Sequence, residues 1–149
     1  MNALDLRALL ADPLQSGAYF IDERDTAAMA EAAAALDFAV ARADLADCDD
    51  KSAALSELAR ALGFPHWFGG NWDALSDSLG DLSWLPGPGY LLLIDHAAGW
   101  RNIDGEAFDT LLAILNEAAA DWRERNVAFW ALLPLPETRL AELEDAGAT

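Results

Sequence analysis

Three aspartates recur at four-residue intervals in one short segment of the chain: Asp73, Asp77 and Asp81. If this segment is a helix, successive residues turn by about 100°, so the three carboxylates share one face and lie about one turn apart. The large apolar side chains then gather on the opposite face: Trp72, Leu75, Leu79 and Leu82. Small residues separate the two faces, and the segment is therefore predicted to carry an acidic ridge behind a buried stripe.

The ridge has no basic residue close to it in the sequence. No Lys or Arg occurs between Arg60 and Arg101, and like charges four residues apart on a helix cost about 0.2–0.5 kcal/mol per pair. The dipole of the helix favours Asp73 in the first turn, but it does not favour Asp81 at the other end. A solvated polar face remains one interpretation. A surface that binds a positively charged partner is the other.

The composition of the chain fits a basic protein as that partner, although an excess of acidic residues is also explained simply by solubility. The chain has 149 residues and 54% hydrophobic residues, enough for one domain with a proper core, and its formal net charge is −17. Such a charge repels nucleic acid and anionic membranes and attracts basic proteins.

We see no signal peptide and no apolar run long enough to span a bilayer. The single cysteine, Cys48, fits a reducing compartment. We therefore expect a cytoplasmic protein.

Helical and strand patterns alternate along the chain. Strands are predicted at Phe38–Ala43, Tyr90–Ile94 and Val127–Leu133, where Pro134 and Pro136 would end the last one, and a short fourth strand is predicted at Ala18–Ile21. Alternation of this kind is typical of an α/β fold with a small parallel sheet packed with helices. Helices are predicted over Ala3–Leu10, Asp25–Ala35 (capped by Asp25 or Thr26), Lys51–Leu62, Asn71 to about Leu82, Asp104 to about Arg125, and loosely over Glu137–Asp145.

The segment from Trp67 to Asp77, with the sequence Trp-Phe-Gly-Gly-Asn-Trp-Asp-Ala-Leu-Ser-Asp, resembles the signature of the barstar family. That signature is two aromatic residues, Gly, any residue, Asn, an apolar residue, Asp-Ala-Leu, any residue, and Asp. A helix that ends in Gly-Phe-Pro precedes the segment, and a strand, a long helix and a second strand follow it. The resemblance covers about Phe38 to Leu133.

The resemblance implies a function. Barstar-like proteins are intracellular inhibitors of bacterial secreted ribonucleases, and they place aspartates of this helix where the substrate phosphates would bind. On that basis Asp73 and Asp77 are the main ligands for the ribonuclease. Asp77 falls on the aspartate that contributes most to binding in the family, a known binding hot spot. The residues implicated in partner binding are Trp67, Asn71, Asp73, Ser76, Asp77, Gly80 and Asp81.

Some positions depart from the family pattern. Ser76 stands where the family often has Trp, Gly70 stands where some members carry a charged residue, and Leu82 replaces another interface aromatic. Asp121 corresponds to a further acidic residue of the family, although no motif fixes that alignment. These departures concern the identity of the partner more than the mode of binding.

The resemblance also suggests how the chain is organised. Residues 37–149 are expected to form the barstar-like domain. Residues 1–36 are expected to be an N-terminal extension of helix, short strand and helix that packs on the same domain.

Two other classes of function remain as alternatives. An enzyme would need a site built from Asp73 or Asp77 with His66 or His96, but the sequence has no metal-binding motif, no Ser-His-Asp pattern and no phosphate-binding glycine loop. We expect no catalysis, no cofactor, no metal and no small-molecule substrate. The other alternative is an immunity or regulatory module that binds a basic toxin or another basic protein that is not a ribonuclease.

Overall fold

The computed structural model of the chain describes residues 3–65 and 69–136, with the backbone alone for residue 3. Within these residues, four strands form a single sheet in the order β1-β4-β3-β2, and every neighbouring pair is parallel. The predicted α/β class with a small parallel sheet is confirmed, and the fourth strand is present. The strands are β1 (Gly17–Asp22), β2 (Ala39–Asp44), β3 (Gly89–Asp95) and β4 (Ala128–Leu135).

Helices cover both faces of the sheet. On one face lie α1 (Ala3–Ala11) and α2 (Thr26–Ala35). On the other lie α3 (Lys51–Leu62), α4 (Trp72–Asp81), α5 (Ala97–Ile103) and α6 (Gly105–Glu124). The bounds of α3 are as predicted because Asp50 caps its start, with its side chain accepting a hydrogen bond from the Ala53 N–H, and Gly63 ends it with a φ of 64°.

The continuous apolar run in β3 is explained by these two layers. Leu91 and Leu93 belong to the core beneath α1 and α2, whereas Leu92 and Ile94 belong to the core beneath α3–α6. Successive side chains of a strand point to opposite faces, so a strand that is covered on both sides needs apolar residues throughout.

The N-terminal segment adds both a strand and a covering layer. β1 is an edge strand that pairs with β4 from Gly17 opposite Trp130 to Asp22 opposite Leu135. In the layer above, Leu10 is fully buried and packs in one cluster with Trp130. The segment thus provides one helical layer of the fold, and the boundary expected near residue 36 stays a prediction.

Three details of the secondary structure differ from expectation. Pro134 lies within β4 and does not end it. The ladder between β4 and β3 ends at Leu132, so at Pro134 the strand is paired with β1 only. The N–H that proline lacks is therefore not needed for pairing with β3. Helix α5 was not predicted. Asp25 precedes α2 without a side-chain capping bond. The predicted terminal helix at Glu137–Asp145 lies outside the described residues.

Candidate partner-binding site

Local sequence signals fix both ends of α4. At its start, the Oδ1 atom of Asn71 accepts a hydrogen bond of 2.8 Å from the Ala74 N–H, as an N-cap should. At its end, Leu82 adopts the left-handed conformation with a φ of 48° and closes the last turn. Leu75 and Leu79 are fully buried in the core beneath α3–α6. The predicted apolar stripe therefore packs in the core, and this determines which face of α4 is exposed to solvent.

Helix α6 holds the C-terminal end of α4 through two hydrogen bonds. The indole N–H of Trp122 donates to the Leu79 carbonyl at 2.7 Å, and the guanidinium of Arg125 donates to the Gly80 carbonyl at 2.8 Å. Arg125 also lies 3.6 Å from the centre of the Trp122 ring. The last carbonyl groups of a helix have no hydrogen-bond donor within the helix. These two bonds therefore satisfy carbonyl groups that would otherwise lack a hydrogen-bond partner in the helix.

The acidic ridge, defined as Asp73, Asp77 and Asp81, is exposed. Within residues 3–65 and 69–136, none of its three carboxylates forms an ion pair or a side-chain hydrogen bond. Among the described residues, the fold brings two cations to α4: Lys51, whose Nζ lies 5.9 Å from the centre of the Trp72 ring at the start of the helix, and Arg125 at its end. That guanidinium is engaged by the Gly80 carbonyl and, at 2.9 Å, by the Asp121 carboxylate. As far as the described residues go, the carboxylates of the ridge are therefore open to positive charges from a partner.

Beside the ridge, α4 and α6 enclose an open acidic groove of about 370 Å³. Ser76 and Gly80 form its α4 side, and their small size lets the two helices approach closely. A Cβ added at Gly80 would lie 3.5 Å from the Asp121 carboxylate. The α6 side of the acidic groove supplies three carboxylates, those of Glu117, Asp121 and Glu124.

The structure places most of the residues predicted for binding on one surface. Asp73, Ser76, Asp77 and Asp81 are exposed on α4, Gly80 is half-buried in the acidic groove, and Asn71 is exposed at the start of the helix. Trp67 lies outside the described residues. Leu82 is fully buried, so it cannot serve as an interface residue in place of an aromatic one.

Sequence reasoning did not find the α6 side of the acidic groove. Glu117, Asp121 and Glu124 are spaced by four and three residues, which places them on one face of a helix. That spacing was a visible signal. Nothing in the sequence, however, indicated that this face lies beside Ser76 and Gly80, and the family resemblance pointed to Asp121 alone.

The chemistry of this surface is that of an anion presented on a rigid scaffold. Exposed carboxylates accept charge-assisted hydrogen bonds from Arg and Lys side chains. No group of three or more His, Cys, Asp or Glu side chains in the described part of the chain is arranged to hold a metal ion. Among the same residues, no helix is both long and apolar enough to cross a membrane.

The fold and the acidic surface define a small α/β protein in which one helix presents three exposed carboxylates. The family model described as "Barstar (barnase inhibitor)" matches residues 38–134, and the chain belongs to the barstar family. This is a family of inhibitors that bind barnase-type ribonucleases, not a family of enzymes.

The chain was also compared with curated proteins and with solved structures. No curated protein matches the chain. Among solved structures, a chain in "Structure of Drosophila ORC bound to DNA" is similar, with 16% identity and a TM-score of 0.54 over 91% of this chain. The matched region spans only 37% of that longer chain, and at 16% identity the likeness concerns the fold alone.

Proposed function

We propose that this protein inhibits a basic, barnase-type ribonuclease by inserting the acidic ridge of α4 into the active site of the enzyme. In this proposal Asp73 and Asp77 occupy the positions of substrate phosphates and accept hydrogen bonds from basic side chains of the enzyme. The observation that supports it most is the absence of any ion pair for the ridge within the described residues.

The rigidity of α4 supports the proposal. Leu75 and Leu79 anchor the helix in the core, while Asn71 caps its first turn. Asp73 and Asp77 are four residues apart, which separates them by about 6 Å along the helix axis. Carboxylates that are already in place lose little conformational freedom on binding, and this lowers the cost of association.

The acidic groove extends the same surface. Ser76 and Gly80 leave room beside the ridge, and Glu117 and Asp121 line the far wall. In the proposed complex a long basic side chain of the ribonuclease enters this space. A bulky residue at position 76 would fill it, so the small Ser76 suits a partner that presents such a side chain here.

The net charge of −17 supports fast association with a basic partner. Complementary charge raises the association rate at low salt, and the gain falls as ionic strength rises. Cys48, free and buried, fits action in the reducing cytoplasm. A basic protein that is not a ribonuclease would be steered in the same way and is the second candidate.

Titration of a barnase-type ribonuclease with the full chain tests the proposal. We expect one-to-one inhibition of RNA cleavage that weakens when sodium chloride is raised, since the contacts are between charged groups. A ribonuclease that keeps full activity at a large excess of the chain, in low salt, would contradict it.

A further inference from the structure

Strand β2 lies at one edge of the sheet, so one row of its backbone groups faces away from β3. Directly after β2, the Leu45 N–H donates to the carbonyl of Asp95, the last residue of β3, at 2.9 Å. The peptide groups of successive residues in a strand point alternately to its two sides, so Val40, Arg42 and Asp44 direct theirs outward. An edge of this kind is a template for pairing with another chain.

Two side chains of α3 cover part of this edge. The Oε2 atom of Glu57 accepts a hydrogen bond of 2.7 Å from the Asp44 N–H. The guanidinium of Arg60 donates to the Arg42 carbonyl at 3.4 Å. Arg60 also donates to both carboxylate oxygens of Glu57, at 2.6 and 2.8 Å. The two side chains therefore form one hydrogen-bonded unit, the Glu57–Arg60 pair, along the outer side of β2.

The bonds that the Glu57–Arg60 pair makes to β2 follow the pattern of a neighbouring strand. In a parallel ladder, one residue donates its N–H to a carbonyl of the next strand and accepts from the N–H two residues further along that strand. The Arg42 carbonyl and the Asp44 N–H are such a pair of groups. The Glu57–Arg60 pair therefore occupies the place of one residue of a fifth parallel strand.

The surroundings of Glu57 hold the pair in this position. Glu57 and Arg60 are three residues apart on α3, so they are neighbours on one face of the helix. The side chain of Glu57 is only 17% exposed. Hydrogen bonds from Arg60 and from the Asp44 N–H nevertheless hold the pKa of Glu57 below its usual value. Glu57 is therefore ionised at neutral pH, and its contacts with Arg60 and Asp44 persist.

The other edge of the sheet is covered in a similar way. The N–H of Ala18 in β1 donates to the Oδ1 atom of Asn116, a residue of α6, at 2.9 Å. Neither Asn116 nor the Glu57–Arg60 pair belongs to the acidic ridge or lines the acidic groove. Binding of a ribonuclease therefore does not explain why helix side chains bond to outward backbone groups at both edges.

The uncovered part of β2 indicates what the pair guards against. The outward backbone groups of Val40 have no side-chain partner among the described residues, and its side chain is 42% exposed. An exposed β-branched residue on an unpaired edge favours the addition of a strand. Two copies related by a two-fold axis would pair their β2 strands antiparallel and form one continuous sheet. The net charge of −17 opposes this contact, but salt screens the repulsion.

We propose that the Glu57–Arg60 pair prevents β2 from pairing with the β2 strand of a second copy and thereby keeps the chain monomeric. A second copy would have to displace both side chains before its own backbone could bond to Arg42 and Asp44. Without that displacement only the backbone groups near Val40 are accessible, and this stretch is shorter than an ordinary strand.

Sedimentation velocity of the full chain carrying Glu57→Ala and Arg60→Ala together tests the proposal, at neutral pH and about 0.15 M salt. The double variant loses one acid and one base, so its net charge stays at −17, and Ala is well tolerated in a helix. We expect self-association with a dissociation constant at least about tenfold lower than that of the wild type. In the assembly, the amides of Val40 and Arg42 should become protected from hydrogen exchange.

Two further variants separate strand pairing from other causes of association. Arg7→Ala with Glu31→Ala is the matched control, since it also removes one base and one acid, at exposed positions of α1 and α2. It should stay monomeric. Val40→Lys added to the double variant should restore the monomer although it makes the net charge less negative, because lysine on an edge strand disfavours pairing. Aggregation through unfolding would not be reversed in this way.

Three results would overturn the proposal. The first is a double variant that stays as monomeric as the wild type, or that associates no more than the matched control. The second is an assembly in which Val40→Lys has no effect or the amides of Val40 and Arg42 stay unprotected. The third is a wild type that already pairs through β2.

Discussion

At the scale of single residues, the three carboxylates of the acidic ridge have different effects on stability. Asp73 lies in the first turn of α4, where the positive end of the helix dipole favours a negative charge, and Asp81 is the last residue of the helix, where the dipole opposes it. The exposed Asp77 lies between two like charges, each one turn away. A helix selected for stability alone would not have this pattern, which is why binding is the better explanation for it.

Replacing the end carboxylates one at a time should give shifts of opposite sign. We expect Asp73→Asn to lower the free energy of unfolding by roughly 0.3–1 kcal/mol and Asp81→Asn to raise it by a similar amount. Urea unfolding at neutral pH and low salt measures both. If Asp81→Asn destabilised the protein instead, Asp81 would have a structural role that its exposure does not suggest.

The residues on α4 could be predicted from sequence because each signal is local. The Asn71 cap, the apolar stripe and the spacing of the ridge all lie within one segment of the chain. The contributions of Glu117 and Arg125 could not be predicted in the same way, because they depend on which turn of α6 faces Gly80. That register is set by tertiary packing, which the pattern of one helix does not contain.

At the scale of elements, the contact between α4 and α6 keeps the acidic ridge in place. Trp122 is mostly buried and its indole N–H satisfies the Leu79 carbonyl, while Arg125 covers the ring and satisfies the Gly80 carbonyl. The side chain of Trp84 makes a comparable bond, to the carbonyl of Leu62 at the end of α3. Indole groups therefore complete the C-terminal ends of both α3 and α4.

Trp122→Phe keeps an aromatic ring but leaves the Leu79 carbonyl without its donor. We expect a loss of about 1–3 kcal/mol in the free energy of unfolding, the usual cost of an unsatisfied buried polar group, in addition to the cost of the smaller ring. Chemical denaturation measures it. Trp84→Phe is the matched variant, and since Trp84 is less buried, a larger loss there than at Trp122 would contradict the importance given to the α4–α6 contact.

Two elements show where sequence patterns stop being informative. Helix α5 is short, contains Gly99 and follows His96, which has a φ of 62°. Neither the length of the segment nor a capping residue before it therefore indicated a helix. Pro134 was expected to end β4, but a proline is tolerated where a strand has a neighbour on one side only. In both cases the surrounding fold decides the outcome.

At the scale of the whole molecule, the sheet is a middle layer between two groups of helices. The family match begins at residue 38, yet the chain before it supplies the edge strand β1 and the two helices α1 and α2, which pack on one face of the sheet. Leu91, Leu93 and Trp130 would be exposed without this layer. We infer that the N-terminal segment is an integral part of the fold and unfolds together with the rest.

Leu10→Ala tests that integration. Leu10 is fully buried in the core beneath α1 and α2, so its truncation should cost about 2–5 kcal/mol and shift a single unfolding transition. Leu4→Ala is the control, because Leu4 is 70% exposed in the same helix and should change stability by less than about 0.5 kcal/mol. Two separate transitions in the Leu10→Ala protein would instead show that the N-terminal segment folds as an independent unit.

The most direct measurement is the dissociation constant of the complex between this chain and a barnase-type ribonuclease, compared for Asp77→Ala and Asp109→Ala. Both variants remove one exposed carboxylate, but Asp109 lies near the start of α6, outside the ridge and the acidic groove. We predict that Asp77→Ala weakens binding by about 2–5 kcal/mol, mainly through faster dissociation, since it leaves basic groups of the enzyme unpaired. Asp109→Ala should change binding little. Equal effects of the two variants would contradict insertion of the acidic ridge into the active site.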